Sequence, residues 1–263
     1  MFKDFFLEDI QLRQNFETPS NKYDYGKVLI IGGNDLYGGA VLLAIEAALK
    51  SGSGIVYVHT KNKYIPEILT KYPSVICLSE LSQINKYDDL TVVAGPGTDE
   101  SFANDKIINF LSLDFKNVIL DAGFIGLVKK VNFSKPPIIT PHSGEASKLI
   151  DITAQEINTN RQKTAQIISE RFNCITVLKG PNTLISYGTT YLRSKNGNNI
   201  LATAGTGDIL AGLIGSLCAQ GSNQLESIKL AVAVHGKCAE EFGKRGILGT
   251  ELIDLIRIKL SQL

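Results

Sequence analysis

The stretch of sequence that decides the fold reads Ala202-Thr203-Ala204-Gly205-Thr206-Gly207-Asp208 and continues directly into Ile209-Leu210-Ala211-Gly212-Leu213-Ile214-Gly215. An irregular segment of small residues gives way here to an apolar helix. Gly205 and Gly207 allow a sharp turn with bare N–H groups, because glycine adopts positive φ without penalty. A helix N-terminus adds unpaired amide donors and partial positive charge, so this turn suits a phosphate or another anion.

Asp208, at the edge of that turn, has two interpretations. Aspartate is a favoured N-cap residue, so it could simply begin the helix. It could also be a general base that takes a proton from a substrate hydroxyl beside a bound phosphate. The segment by itself leaves both interpretations open.

The composition narrows the class of protein. The 263 residues suffice for one large domain or two small ones, and the net charge of +1 comes with scattered basic residues, so no nucleic-acid partner is expected. No apolar run approaches the ~18 residues of a membrane span. The N-terminal residues lack the apolar core of a signal peptide, so we expect a cytoplasmic protein.

The cysteines are widely spaced and form no CxxC pair, which is poor spacing for zinc. Each lies among apolar neighbours, so we predict buried, reduced thiols. The four are Cys77, Cys174, Cys218 and Cys238.

Short apolar runs alternate with helical segments along the chain. Strands are predicted at 28–31, 55–58, 91–94, 118–121, 137–140, 175–179 and 183–187, with a hairpin turn at 187–191. Helices are predicted at 38–50, from Thr153 to about Phe172, and at 206–219, 224–242 and 248–260. This alternation predicts a doubly wound α/β fold with a mostly parallel sheet flanked by helices. With no repeat or linker, residues 1–263 are expected to form a single domain.

Glycine and polar residues follow the predicted strands at one edge of this sheet, where ligands bind in such folds. The turn at 32–40 fits neither the Walker A pattern nor GxGxxG. Gly95-Pro96-Gly97 could be plain strand termination, and Thr140–Glu145 could be a helix cap rather than a site for phosphate or Mg²⁺. Lys179–Thr183 places a cation and polar groups in a turn between strands. Their shared position is more informative than any one of them.

Two further histidines have no evident partner in the sequence. His59 lies near the end of a predicted strand and His235 in a late helix. We expect a structural role for both.

In order and spacing, these turns resemble the NAD(P)H-hydrate dehydratases, a branch of the ribokinase-like superfamily. The resemblance covers the chain from Lys27 to about Ile256. Its most specific pieces are Tyr37-Gly38-Gly39-Ala40, Gly95-Pro96-Gly97, Thr140-Pro141-His142-Ser143-Gly144-Glu145, Leu178-Lys179-Gly180-Pro181-Asn182-Thr183, Ala202–Asp208 and Val234-His235-Gly236.

The resemblance implies a lyase that repairs nicotinamide cofactors. Such enzymes dehydrate the S epimer of NADH or NADPH hydrate, with ADP as phosphoryl donor in most bacterial members and ATP in eukaryotic ones. The C6 hydroxyl is phosphorylated and then eliminated as phosphate, with Mg²⁺ bridging the nucleotide phosphates. It also implies a ribokinase-like fold, a homotetramer and, in this chain, no fused epimerase domain.

The resemblance carries over the following roles by position in the matching motifs. The base and anion hole would comprise Asp208 with Gly205, Thr206 and Gly207. Contacts to the hydrate would come from Ala40, Gly97, His142 and Asp208. Contacts to the nucleotide would come from Lys179, Gly180, Pro181, Asn182, Thr183 and Gly207. Glu145 would lie in the outer shell of Mg²⁺.

The chain departs from the family pattern at two places. The usual Asp-Ala-Asp reads Asp121-Ala122-Gly123 here, and Gly95-Pro96-Gly97 continues with Thr98-Asp99 rather than a hydrophobic residue and glycine. Any contact made by the second acid is missing.

Two other functions compete with this prediction. A small-molecule kinase of the hydroxyethylthiazole-kinase type would use the same anion hole and base, although the Thr-Pro-His-x-Gly-Glu and Lys-Gly-x-x-Thr elements argue against it. A non-catalytic nucleotide-binding module would not need Asp208.

Overall fold

The computed structural model describes residues 1–10, 21–221 and 223–263. These residues form a ten-stranded sheet in the order β1-β10-β9-β8-β7-β6-β5-β2-β3-β4. The strands are β1 Lys3–Phe5, β2 Lys27–Ile31, β3 Ile55–His59, β4 Ile76–Cys77, β5 Leu90–Ala94, β6 Asn117–Leu120, β7 Ile138–Ile139, β8 Ile175–Leu178, β9 Leu184–Tyr187 and β10 Thr190–Ser194. Only β9 runs antiparallel to its neighbours, β8 and β10, within the described part of the chain.

Helices cover both faces of the sheet. They are α1 Gly38–Lys50, α2 Ile65–Lys71, α3 Asp105–Leu111, α4 Ser143–Ile150, α5 Ala154–Thr159, α6 Arg161–Phe172, α7 Thr206–Gln220, α8 Gln224–Phe242 and α9 Gly249–Leu260. Short 3₁₀ helices lie at Leu7–Asp9, Asn62–Tyr64, Leu81–Gln83, Glu100–Phe102, Ala122–Lys129 and Asn199–Leu201. The doubly wound α/β architecture predicted from the sequence is confirmed.

The central strands are buried on both faces, which explains their continuous apolar sequences. In β2, Val28 and Ile30 pack into the core shared with α1, α7 and α8. Leu29 and Ile31 point the other way, into the core shared with α3, α4 and α6. Alternate residues of one strand therefore build two cores.

Helix α7 lies unusually close to its neighbours, and two glycines make this possible. A Cβ at Gly212 would lie 2.4 Å from the carbonyl oxygen of Ala44 in α1, and one at Gly215 would lie 2.3 Å from Cγ2 of Val93 in β5. No larger residue fits there. This packing fixes the N-terminus of α7 over the middle of the sheet.

The single helix predicted from Thr153 to about Phe172 is wrong. The structure has two helices, α5 and α6, separated at Asn160, whose φ of −127° and ψ of 41° lie outside the helical range. Asparagine competes poorly in helix interiors because its amide bonds to nearby backbone. The break turns the start of α6 toward the end of β8.

The predicted thiols are confirmed as free: Cys174, Cys218 and Cys238 are buried and Cys77 is half-buried. In the described ranges, no helix combines the length and apolar character that a membrane crossing requires.

Candidate active site

The predicted site turns lie side by side because their strands do. The parallel strands β8, β7, β6, β5 and β2 are consecutive in the sheet, so their carboxyl ends meet at one edge. The turns that leave this edge carry Lys179, His142, Asp121, Gly97 and the segment that leads to Ala40.

Helix α7 begins at Thr206, as the sequence predicts. Gly205, with φ of 92°, is the N-cap, and Asp208 is the third residue of the helix. The N-cap interpretation of Asp208 is therefore wrong, because the left-handed glycine lets the helix start earlier. Gly205 and Gly207 donate no backbone hydrogen bond within the described ranges, so both N–H groups are available to an anion.

The buried side chain of Thr206 stabilises this turn. Its side chain is buried, and Oγ1 lies 2.8 Å from the carbonyl oxygen of Leu201 and 2.9 Å from that of Thr203. The hydroxyl thus holds the turn together and does not face a ligand.

The Asp208 carboxyl is half-buried, and its pKa is raised to about 7. Burial is the largest cause, and the negative charge of Asp121 adds to it. The Lys179 charge and the N–H groups of Gly97 and of Asp208 itself act in the opposite direction but do not cancel the effect. A carboxyl with this pKa can exchange a proton near neutral pH.

Lys179 lies between two acidic groups. Its Nζ donates to Oδ1 of Asp121 at 2.8 Å and lies 3.8 Å from Oε2 of Glu145. Burial alone would lower the pKa of Lys179, but Asp121 and Glu145 outweigh it, so the pKa lies above its ordinary value. A Cβ at Gly207 would lie 3.3 Å from Nζ, so the ammonium borders the first turn of α7.

His142 and Glu145 form a capping box at the start of α4. The His142 Nδ1 accepts from the N–H groups of Gly144 at 2.9 Å and Glu145 at 3.2 Å, while Glu145 Oε2 accepts from the His142 N–H at 2.8 Å. Because Nδ1 accepts, the proton of the neutral ring lies on Nε2. The ring is exposed, and its Nε2 lies 3.5 Å from Oε1 of Glu145.

Gly97 lies between Asp208 and the segment that carries Ala40. Its N–H acts to lower the pKa of the Asp208 carboxyl, against the effect of burial. Its φ is 67°, and a Cβ there would lie 2.4 Å from the Tyr37 carbonyl oxygen and 2.8 Å from the Ala40 Cβ. The structure therefore brings Ala40, Gly97 and Asp208 together.

The loop from Lys179 to Thr183 connects β8 to β9. Gly180 has φ of 133° and Asn182 has φ of 52°, and the Thr183 hydroxyl donates to the Gly180 carbonyl at 3.2 Å. Gly180, Pro181 and Asn182 are exposed. The loop thus presents backbone at the same sheet edge as Asp208.

A cavity of about 590 Å³ opens beside His142. Its walls include Thr98, Gly123 and Glu145, and Lys130 and Lys148 also line it. This volume is in the range of small-molecule sites.

The sequence model of the NAD(P)H-hydrate dehydratase family matches residues 28–260. The chain belongs to this family. An ADP-dependent (S)-NAD(P)H-hydrate dehydratase of Staphylococcus aureus is 32% identical over 238 residues, covering 87% of this chain and 85% of the relative. The family resemblance inferred from the motifs is thereby confirmed.

Other relatives are longer. A bifunctional NAD(P)H-hydrate repair enzyme of Coxiella burnetii is 35% identical over 92% of this chain but only 52% of its own length, so the chain spans about half of such relatives. Among solved structures, an ADP/ATP-dependent NAD(P)H-hydrate dehydratase of Bacillus subtilis, co-crystallised with ATP and Mg²⁺, superposes with a TM-score of 0.86 at 27% identity, covering 97% of this chain and 95% of that one. The ribokinase-like fold is confirmed.

The two departures from the family pattern lie against each other. A Cβ at Gly123 would lie 2.5 Å from the Asp99 backbone and 2.7 Å from the Thr98 carbonyl oxygen. An acid at position 123 would therefore need the Thr98–Asp99 backbone to move. The Asp99 carboxylate is engaged by Ser101, whose N–H donates to it at 2.9 Å.

The described residues contain no cluster of three His, Cys, Asp or Glu side chains arranged to hold a metal ion. Mg²⁺ prefers oxygen ligands. Glu145 offers a partly exposed carboxylate, whose Oε2 lies 3.8 Å from Nζ of Lys179. This donor set fits a magnesium ion carried by nucleotide phosphates and not one held by the protein alone.

His235 has the structural role that the sequence predicts, and the structure shows that it supports the turn before α7. It is buried in α8, burial lowers its pKa to about 4, and Nε2 lies 3.0 Å from the Thr206 carbonyl oxygen. The neutral ring therefore donates to the first residue of α7. Val234-His235-Gly236 was a signal for this role, but a helix position alone does not show its partner. His59, with Nδ1 3.2 Å from the Leu78 carbonyl oxygen, is structural as predicted.

Proposed function

We propose that this protein restores NADH and NADPH from the S epimers of their hydrates, consuming ADP and releasing AMP and phosphate. The observation that carries the proposal is the Asp208 carboxyl, half-buried with a pKa of about 7 in a helix turn with free amides. Family membership and the matching order of the site motifs support the same function.

The first step is a phosphoryl transfer to the C6 hydroxyl of the hydrate. Asp208 accepts the hydroxyl proton while the oxygen attacks the terminal phosphorus, and the bond from that phosphorus to AMP breaks. A base with a pKa near the working pH is best suited to this task. Ala40, Gly97 and His142 would hold the hydrate against Asp208.

The charge that develops on the transferred group needs positive partners. The N–H groups of Gly205 and Gly207 and the dipole of α7 provide them at the helix start. Lys179 borders Gly207 and adds a full charge. Lys179 and the loop through Gly180, Pro181, Asn182 and Thr183 would hold the nucleotide.

The second step removes phosphate, a far better leaving group than hydroxide. The lone pair of the ring nitrogen forms a double bond to C6 as the C6–O bond breaks. Loss of a proton from C5 then restores the dihydropyridine. The chemistry therefore needs the protein mainly for the first step.

We propose Mg²⁺ as the ion that accompanies the nucleotide. When bound to the phosphates it would neutralise their charge, with Glu145 in its outer shell. We also propose ADP as the preferred donor, a single domain over residues 1–263, and a cytoplasmic homotetramer. Light scattering that gave a monomer mass would contradict the tetramer.

The test is recovery of reduced-nicotinamide absorbance from the S hydrate of NADH, with Mg²⁺ and either ADP or ATP in parallel. We expect recovery with release of AMP and phosphate when ADP is the donor. No recovery with either nucleotide would refute the proposal. A stable phosphoester in the phosphorus NMR spectrum would instead indicate a small-molecule kinase, and ADP binding without turnover a non-catalytic module.

A further inference from the structure

Arg161, the first residue of α6, reaches the end of β8 because the helical run breaks at Asn160. Its Nη2 donates to the carbonyl oxygens of Leu178 at 3.1 Å and Lys179 at 3.2 Å. The Lys179 N–H donates to the Pro141 carbonyl at 2.8 Å. The backbone of Lys179 is therefore held on one side by Pro141 and on the other by the guanidinium.

The other terminal nitrogen of the guanidinium, Nη1, has no partner among the residues that the structure describes. Arg161 Nη1 is buried and has no hydrogen-bond acceptor within the described residues. No carboxylate in the described ranges pairs with Arg161 either, and burial lowers its pKa. A buried donor left unsatisfied is costly, and a buried charge without a counter-ion more so. We therefore expect a negatively charged partner to compensate the Arg161 guanidinium.

The position of Nη1 indicates what that partner is. A Cβ at Gly180 would lie only 2.8 Å from Nη1, so the uncompensated charge lies directly beneath the exposed loop that follows Lys179. Only glycine leaves room for this contact. The loop thus has one ammonium beside it, from Lys179, and one guanidinium underneath it, and both favour a polyanion on its outer side.

We propose that Arg161 is a positioning residue of the nucleotide loop. It fixes the Lys179 and Gly180 backbone and supplies a buried positive charge that favours the diphosphate of a nucleoside diphosphate bound above. The inference rests on the proposed function in placing the nucleotide at this loop.

Calorimetric binding of ADP and of adenosine to the full-length protein tests this role without any turnover. For Arg161→Gln we expect ADP affinity to fall about tenfold or more, the size of one charge-assisted interaction, with adenosine affinity within about twofold. Arg161→Lys keeps the charge but not the planar fork, so its ADP affinity should lie between those of wild type and Arg161→Gln. Arg171→Gln, at an exposed position on the same helix, is the matched control and should bind both ligands as wild type does.

A purely structural role for Arg161 would weaken ADP and adenosine binding equally, and that result would overturn the inference. Unchanged ADP affinity in folded Arg161→Gln would overturn it as well. If Arg161→Gln fails to fold, Arg161→Lys decides: ADP affinity equal to wild type contradicts the positioning role. A protein that binds ADP with this pattern but turns over no hydrate would refute the proposed function and leave the role of Arg161 intact.

Discussion

Two glycine-rich turns of this molecule look alike in sequence and differ in chemistry. One leaves β2 and carries Asp35 before α1, and the other carries Asp208 into α7. Helices α1 and α7 pack directly against each other. Both turns thus combine glycines, an aspartate and a helix start at neighbouring places in the fold.

The two carboxylates have opposite surroundings. Asp35 is exposed, and hydrogen bonds from Lys61 and Lys63 lower its pKa. The Nζ atom of Lys63 lies 3.0 Å from Oδ1 of Asp35. Asp208 is half-buried near Asp121, and its pKa is raised to about 7. Burial and a second negative charge, and not the local motif, raise the pKa of one aspartate and leave the other a surface anion.

The largest expected difference between the two turns is catalytic. Asp208→Asn should lower kcat about 10²-fold or more, because the variant cannot accept the hydroxyl proton. Asp35→Asn is the matched control and should leave kcat within about twofold, since surface ion pairs contribute little. Steady-state hydrate dehydration with ADP and Mg²⁺ measures both, and equal losses in the two variants would remove the contrast.

The hydrogen bond from His235 to the Thr206 carbonyl, at the start of α7, should have the next largest effect on catalysis. His235→Leu deprives the Thr206 carbonyl of its donor, and a misplaced anion hole should lower kcat about tenfold with little change in KM. His235→Gln keeps an amide donor and should recover much of the loss. Identical kinetics for the Leu and Gln variants would show that the hydrogen bond is not what matters.

The pH profile can separate the effect of the Asp121 charge on the Asp208 pKa from the effect of burial. Asp121→Asn removes the negative charge that raises the Asp208 pKa, so the acid limb of kcat/KM should move down by about one pH unit. The loss of a partner for Lys179 acts in the same direction, because a less neutralised ammonium also favours the Asp208 carboxylate. An unmoved acid limb would mean that burial alone sets this pKa.

The substitution of Asp208 that lowers kcat should raise the free energy of unfolding, whereas that of Asp35 should not. The pKa of Asp208 is about 7 in the folded protein and near its ordinary value of 3.8 in the unfolded chain. Between these pH values the folded protein therefore holds a proton on Asp208 that the unfolded chain has lost. Stability is therefore lost as pH rises from about 4 through 7. At pH 8, Asp208→Asn should gain on the order of 2–4 kcal/mol over wild type, and at pH 4 nothing.

Thermal melting at both pH values measures this gain, and Asp35→Asn, whose carboxylate has a lowered pKa, should show no such increase at pH 8. A melting temperature of Asp208→Asn that stayed at the wild-type value at pH 8 would argue against an energetically costly carboxylate.

Much of this site could be predicted from the sequence because its signals are local. The apolar run of β5 followed by Gly95-Pro96-Gly97, and the small-residue turn before Ile209, announce a strand end and a helix start in a few residues each. Matching turns at other strand ends placed them on one sheet edge.

What the sequence did not reveal depends on distant partners. The raised pKa of Asp208 needs Asp121 from another strand, and the roles of His235 and Arg161 need carbonyl groups of α7 and β8. The break at Asn160 hid Arg161 inside a continuous helical pattern. Such contacts leave no periodic trace in the chain.

The central claim is that a half-buried carboxylate with a near-neutral pKa, Asp208, is the base. The most direct test is the pH dependence of kcat/KM for the hydrate between pH 5 and 9, at saturating ADP and Mg²⁺. We predict an acid limb with an apparent pKa near the Asp208 value of about 7. A profile that stays flat from pH 5 to 7 would contradict the account.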